Sequence, residues 1–189
     1  MQAQAKTLLG IVRALARQIE AIKSDQRGVS AIEFSLFAGM LSVGLLNTVD
    51  ISLYVYKRME VENATQMGAQ AAWKTCDTNK LPATVNCPGL TSAISSAVHS
   101  TSLGTKISLQ SGSPEEKYYC LNSSGALQSV GNVSSSKPSD CSSVGMASLQ
   151  PTDYIKVTTV FTYAPLFPGI TVTSAFPTTI TKTAMMRLD

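Results

Sequence analysis

The chain has 189 residues, of which 14% are charged and 44% are hydrophobic, and its formal net charge is +3. This length suits one small domain with an appended segment. The low charged fraction argues against a nucleic-acid binder, because an average soluble domain is about 25% charged. Residues 1–28 carry five bases and two acids, which accounts for the whole excess, and the remainder is neutral. A basic leader before a neutral body is typical of a targeted chain.

The leader itself has the pattern of a basic amphipathic helix, which can lie on an anionic inner leaflet. A mitochondrial presequence has a similar pattern, but it is poor in acids and is not followed directly by a spanning segment. A secretory signal fits badly, because no small-residue cleavage site ends the apolar run. The apolar positions recur at spacings of three and four: Leu8, Val12, Leu15, Ile19 and Ile22.

An uncharged run covers residues 34–49, and Asp50 is the only charge up to residue 56. A helix over residues 34–56 rises about 34 Å, against a hydrocarbon core of about 30 Å. A buried core helix is the alternative, but a small soluble domain seldom buries a helix that is apolar on all sides. We therefore predict one transmembrane helix, with the leader in the cytoplasm and the chain beyond residue 57 outside, because most bases precede it. Asp50 is expected to be hydrated or to contact a partner.

One acid, Glu33, lies at the start of this span. A carboxylate at the bilayer centre costs roughly 2.5 to 3.5 kcal/mol, and less near the interface, so Glu33 needs a partner. If the chain were cut after Gly28, the new α-amino group of Val29 would be a cation at the same depth. Each charge would then neutralise the other.

This junction resembles the processing site of type IV prepilins. A basic leader ends in Arg27-Gly28, a glutamate follows five residues after the glycine, and Phe34 comes next. The pair Glu33-Phe34 is similar to the variant found in Flp and TadE-like pilins. The resemblance implies that a membrane prepilin peptidase cuts between Gly28 and Val29, and that Glu33 pairs with the amino terminus of an adjacent subunit. It implies as further partners the major Flp pilin, other TadE-like minor pilins and the Tad inner-membrane assembly platform.

The helix is predicted to continue outside the membrane to about residue 74, since residues 57–73 contain good helix formers and no proline. Its apolar stripe should be buried against a globular part, with charged residues in water. Trp73 is also expected to be a core residue. The predicted buried stripe is Met59, Ala64, Met67 and Ala71, and the predicted exposed charges are Lys57, Glu60 and Glu62.

Four cysteines follow in the segment placed outside the membrane, which predicts two disulfides. Three pairings are possible. We favour Cys76 with Cys87 and Cys120 with Cys141, because each closes a short polar loop. A metal site is disfavoured, since there is no Cys-x-x-Cys and the only histidine, His99, has no partner at ligand spacing. We predict no cofactor.

The rest of the chain predicts a short helix over residues 90–99 and an antiparallel sheet packed on the outer half of the long helix. The strongest strand signal is the alternation over residues 154–163, which is rich in β-branched and aromatic residues. The predicted class is α+β: a leader (residues 1–28), a long helix (29–74) and a disulfide-stapled extracytoplasmic domain (75–189). The other predicted strands cover residues 107–110, 118–119 and 178–187, with a loop at 165–169.

The carboxyl region, residues 154–169 and 183–187, also looks like that of TadE-like proteins. Major Flp pilins are much shorter, so the resemblance implies a minor pilin, or pseudopilin. It would reside in the bacterial inner membrane with its carboxyl domain in the periplasm, enter the extracellular pilus after assembly, and serve assembly, initiation or adhesion.

Two other function classes compete with a pilin. An enzyme is disfavoured, because no nucleophile elbow, Walker loop, carboxylate pair or metal cluster accompanies His99. The alternative is a membrane-anchored extracellular binding module or adhesin that is not incorporated into a pilus. Such an anchor would touch membrane lipid but would need neither Gly28 nor Glu33.

Overall fold

The computed structural model of the chain describes residues 26–189, with side chains from residue 28 onwards. The predicted leader helix lies outside the described residues. The described residues divide into two units, which meet between Thr48 and Val49. Helix α1 (Gln26–Thr75) makes up the described part of the first unit and continues into the second.

Helix α1 is 50 residues long and contains no proline. Near its N-terminus it is long and apolar enough to cross a bilayer, and the apolar stretch there is not buried in the protein. The predicted long N-terminal helix is therefore confirmed.

In the second unit, α1 buries one stripe of mostly small residues. The predicted stripe is right for Ala64 but wrong for Met59 and Met67, which are 65% and 40% exposed, and Trp73 is also exposed. The reason is a close approach at Gly68, where an added Cβ would lie 2.8 Å from Cγ2 of Val98. Long side chains do not fit on this face. The buried positions of this stripe are Val61, Ala64, Thr65, Gly68, Ala69 and Ala72.

The charged residues of this part of α1 behave largely as predicted. Glu62 is exposed and its Oε2 accepts a hydrogen bond from Nζ of Lys182 at 2.8 Å. Glu60 is the exception, because its side chain is 10% exposed and its Oε2 pairs with Nζ of Lys57 at 2.6 Å. Burial of a carboxylate is tolerated here because a cation neutralises it.

Two short helices follow, α2 (Ala83–Asn86) and α3 (Leu90–His99). The predicted helix over residues 90–99 is confirmed, and its apolar residues Leu90, Ile94 and Val98 are buried. Both favoured disulfides are present, Cys76–Cys87 and Cys120–Cys141, each with Cα atoms 5.8 Å apart.

In the described part of the chain, five strands form one antiparallel sheet with β4 at its centre. Strand β5 pairs along one side of β4, β1 and β2 pair along the other side, and β3 adds outside β2. The strands are β1 (Ile107–Leu109), β2 (Glu115–Leu121), β3 (Leu127–Asn132), β4 (Thr152–Thr162) and β5 (Thr179–Arg187).

The strands predicted near the carboxyl end are confirmed as β4 and β5. In β4, the predicted alternation places Ile155, Val157 and Phe161 in the core. Strand β3 is an unpredicted addition, since its sequence LQSVGN lies in a run that we expected to be a loop. It forms because a turn held by Asn122, whose Oδ1 accepts the Ala126 N–H at 2.9 Å, returns the chain along β2.

One hydrophobic core holds the second unit together. It joins the small-residue stripe of α1, the buried face of α3 and the inner faces of β1, β4 and β5. The sheet thus covers its apolar face with the carboxyl-terminal half of α1, which confirms the α+β layout.

Candidate functional site

The predicted processing site lies in the first turns of the described helix. Val29 is 57% exposed, and an added Cβ on Gly28 would meet no atom within 4 Å. The bond between Gly28 and Val29 is therefore exposed on the described helix.

Glu33 lies just over one turn beyond Gly28, on an exposed apolar surface. Its neighbours one turn away, Val29, Leu36 and Phe37, are 57% to 70% exposed, and the adjacent Phe34 is 75% exposed. Within residues 28–189, the Glu33 carboxylate has no hydrogen bond or ion pair. Inside a bilayer such a carboxylate would need a cation from elsewhere.

The surface around Glu33 extends to residue 49 without interruption. No residue from 28 to 49 is buried, and the large apolar side chains on this stretch are mostly about half to three quarters exposed, up to 77% for Met40. Soluble proteins rarely expose a continuous apolar patch of this size. An exposed apolar surface of this size is typical of a site that contacts a membrane or another protein.

Beyond Glu33, from residue 34 to residue 49, the four polar side chains each hydrogen-bond to the helix itself. All four donate a hydrogen bond to a backbone carbonyl about one turn earlier, at 2.8 to 2.9 Å. A donor that is paired inside its own helix does not need water, which suits a hydrocarbon environment. The four donors are Ser35, Ser42, Asn47 and Thr48.

Asp50, the single acid of the predicted span, is fully buried in the second unit. Its Oδ1 accepts the Leu166 N–H at 2.9 Å, and its Oδ2 accepts the Thr173 hydroxyl at 2.6 Å and the Thr171 hydroxyl. The Tyr163 hydroxyl donates to the Asp50 carbonyl oxygen at 3.2 Å. The expectation that Asp50 is hydrated or contacts a partner is therefore wrong, because the side chain is fully buried and donors of its own chain surround the carboxylate.

The Cys76–Cys87 loop is tied to the sheet by Glu116, a buried carboxylate on β2. Its oxygens accept the backbone N–H groups of Ala83 at 2.7 Å and Thr84 at 2.6 Å. These are free N–H groups at the N-terminus of α2, where a carboxylate is favourable. Glu116 has a structural role that the sequence did not indicate.

Asp153 is a second buried carboxyl group on the same face of the sheet. It lies opposite Tyr118 and diagonal to Glu116, and it is within hydrogen-bonding reach of Glu116. Its Oδ1 is buried and has no hydrogen-bond partner in the described part of the chain. Burial, reinforced by the negative charge of Glu116, raises the pKa of Asp153 from 3.8 to about 7. A neutral Asp153 can donate to Glu116, whereas two charged carboxylates would repel.

His99 is half-buried, and its Nε2 lies 3.0 Å from the carbonyl oxygen of Ile107. This contact ties α3 to the start of β1. The four cysteines are all in disulfides. Among the residues that the structure describes, no group of three or more His, Cys, Asp or Glu side chains could hold a metal ion.

Sequence reasoning therefore missed the roles of the three buried acids. The only signal for Asp50 was its isolation in a long uncharged run. Glu116 occupies the same alternate positions of β2 as Tyr118 and Cys120, and Asp153 the same positions of β4 as Ile155 and Val157. Their place on the inner face could therefore have been inferred from the period of two. The comparisons with known proteins add no assignment, since no protein-family model, curated protein or solved structure matches this chain.

Proposed function

We propose that this chain is a minor pilin of the TadE-like class. It is anchored by α1 with its leader in the cytoplasm, cut after Gly28 by a prepilin peptidase, and assembled into a Tad (Flp) pilus or its initiating complex. One observation carries the proposal: residues 28–49 form a helix with no buried residue, and Glu33 lies on its apolar surface without a partner in the described chain. A surface of this kind supports burial in lipid first and against other pilin helices later.

We place the outer end of the span near Asp50 rather than at residue 56. Asp50 is enclosed by its own globular unit, so the bilayer ends at or before this level. From Val29 to Asp50 a helix rises about 32 Å, which matches a hydrocarbon core of about 30 Å. Glu33 then lies inside the cytoplasmic half of the core, close to the amino group that cleavage would create.

The role of that amino group follows from electrostatics. Removal of the leader would remove five bases and two acids and would add one cation at Val29. In a medium of low dielectric, an unpaired carboxylate and an unpaired ammonium are both costly, and pairing offsets both penalties. The amino group of one subunit and Glu33 of its neighbour would thus favour packing in one register.

Processing can be tested with a pair of glycine variants. An added Cβ meets no atom within 4 Å at either Gly28 or Gly39, so Gly28→Val and Gly39→Val should fold alike. With an active prepilin peptidase, we expect the wild type and Gly39→Val to lose residues 1–28. We expect Gly28→Val to stay uncut, because a branched side chain at the scissile bond blocks the site. Intact-mass spectrometry of the membrane-bound protein shows whether residues 1–28 have been removed.

Two outcomes would contradict this proposal. Residues 1–28 still attached to the wild type in cells with active peptidase would remove the cleavage step. The chain would then be better described as a membrane-anchored binding module. Cleavage of Gly28→Val at the wild-type rate would show that the peptidase does not recognise this glycine.

A further inference from the structure

The loop between β4 and β5, residues 164–178, differs from the rest of the globular unit in composition and exposure. No charged residue occurs between Lys156 and Lys182. Leu166, Ile170 and Val172 are 58%, 60% and 54% exposed. Exposed apolar side chains gathered in an uncharged segment indicate a surface that something else covers.

This loop is fixed to α1 at the level of Asp50. The Leu166 N–H and the Thr171 and Thr173 hydroxyls all donate to the Asp50 carboxylate. Asp50, Thr171 and Thr173 are each at most 5% exposed. Hydrogen bonds to a buried charge are strong, so the loop is held at one height along the helix.

Aromatic packing about one turn further along α1 reinforces this attachment. The Tyr54 ring lies 5.0 Å, centroid to centroid, from both Tyr163 and Phe176. Tyr163 directly precedes the loop, and Phe176 lies near the end of the loop. The exposed apolar side chains of the loop are therefore presented by a rigid base.

The level of Asp50 is also where the proposed span ends. Beyond it, the exposed surface of α1 remains apolar or aromatic at Val55 and Tyr56, and the first bases are Lys57 and Arg58. Apolar and aromatic residues just before bases are typical of the layer between hydrocarbon and water.

We propose that the loop 164–178 inserts Leu166, Ile170 and Val172 into the interfacial layer of the bilayer that α1 crosses. The globular unit would then rest against the membrane before assembly. This inference rests on the proposed anchoring of α1. The lack of charge over residues 157–181 and the exposed side chains of Val55 and Tyr56 in the same unit favour lipid as the occupant.

Depth-dependent fluorescence quenching tests the proposal. The chain has one tryptophan, Trp73, so Trp73→Phe provides a background without tryptophan fluorescence. Ile170→Trp is the loop reporter, and Val85→Trp is the matched control reporter, because Val85 is 64% exposed on α2. The full chain is placed in vesicles of phosphatidylcholine brominated either near the headgroup or near the acyl-chain ends.

We expect headgroup-proximal bromine to quench the loop reporter at least about twofold more than the control reporter, since an interfacial side chain lies next to this layer. A water-soluble quencher should act preferentially on the control reporter. Equal behaviour of the two reporters would overturn the proposal. If Ile170→Trp fails to form both disulfides, Leu166→Trp replaces it, with the same expected result.

Alkaline extraction of the same vesicles distinguishes a failure of the proposed anchoring by α1 from a failure of the proposed loop insertion. Release of the chain from the vesicles would contradict the proposed anchoring by α1. If the chain stays in the membrane but the loop reporter is not quenched, the proposed anchoring by α1 would stand and only the proposed insertion of the loop would be overturned. A loop reporter that is not quenched in vesicles but becomes shielded in assembled pili would assign the loop to a subunit contact, and would also overturn the lipid proposal.

Discussion

Residues 28–48 and residues 49–75 belong to the same helix, yet they differ in which apolar side chains are buried. The first stretch carries Phe, Leu and Met side chains and buries none of them. The second buries a stripe of Ala, Val, Thr and Gly, and leaves its Met and Trp side chains exposed. Where a helix packs within its own unit, closeness of approach selects small residues. Where its cover comes from outside, large apolar residues remain.

The largest effect should come from one substitution made in both regions. Ile155 is fully buried and Ile32 is 62% exposed. Ile155→Ala should reduce the free energy of unfolding by about 2–5 kcal/mol, because it leaves a cavity in the core. Ile32→Ala should change it by less than about 0.5 kcal/mol. Urea unfolding in detergent, followed by circular dichroism, measures both. Equal losses would contradict the division into a packed and an unpacked region.

A smaller difference should separate two glycines of α1. Gly68→Ala places a Cβ 2.8 Å from the Val98 side chain, and overpacking of this kind costs about 1–3 kcal/mol. Gly39→Ala meets nothing within 4 Å, so it should be neutral or stabilise by about 0.5–1 kcal/mol through helix propensity. The same unfolding experiment compares them. A stabilised Gly68→Ala variant would show that α1 does not approach α3 as closely as described.

The third effect is a dependence on pH that is confined to the globular unit. Because the pKa of Asp153 is raised from 3.8 to about 7, the folded chain binds more protons than the unfolded chain between these values. Its stability should therefore fall as the pH rises from about 4 to about 7, by at most about 1.4 kcal/mol per pH unit for one proton. The groups that face Asp153 are Glu116, Tyr118, Lys137 and Asp189.

Asp153→Asn supplies the control for this pH dependence. An amide does not titrate, so the decline between pH 4 and pH 7 should be lost while other acids still titrate. Unfolding midpoints measured at several pH values would show the difference. If the stability of the wild type rises between pH 4 and pH 7, or if Asp153→Asn keeps the same dependence of stability on pH, Asp153 is not the cause.

The sequence could predict features that depend on local pattern. The alternation of β4, the helical spacing of α3 and the two short cysteine loops all appear in the structure as expected. The phase of the buried stripe on α1 could not be predicted, because it depends on how closely Gly68 approaches Val98. Strand β3 was missed because its residues have little strand propensity and pair only through the turn at Asn122.

The roles of the buried acids were hidden for a different reason. Asp50 is held by residues more than 110 positions away in the chain, and Glu116 binds N–H groups more than 30 positions away. Nothing in the local sequence marks these partners. Gly28, Val29, Glu33 and Phe34 were selected from pattern and resemblance, and their function is a proposal because no partner of Glu33 lies in the described part of the chain.

The most direct test of the central claim is the intact mass of this chain in sheared, purified pili and in membranes of the same cells. We predict that pili contain a species beginning at Val29, with both disulfides and without residues 1–28. Glu33→Ala should be processed but remain in the membrane, whereas Glu62→Ala, which changes an exposed acid of the globular unit, should be incorporated normally. A full-length chain that is confined to membranes, or normal incorporation of Glu33→Ala, would contradict the account.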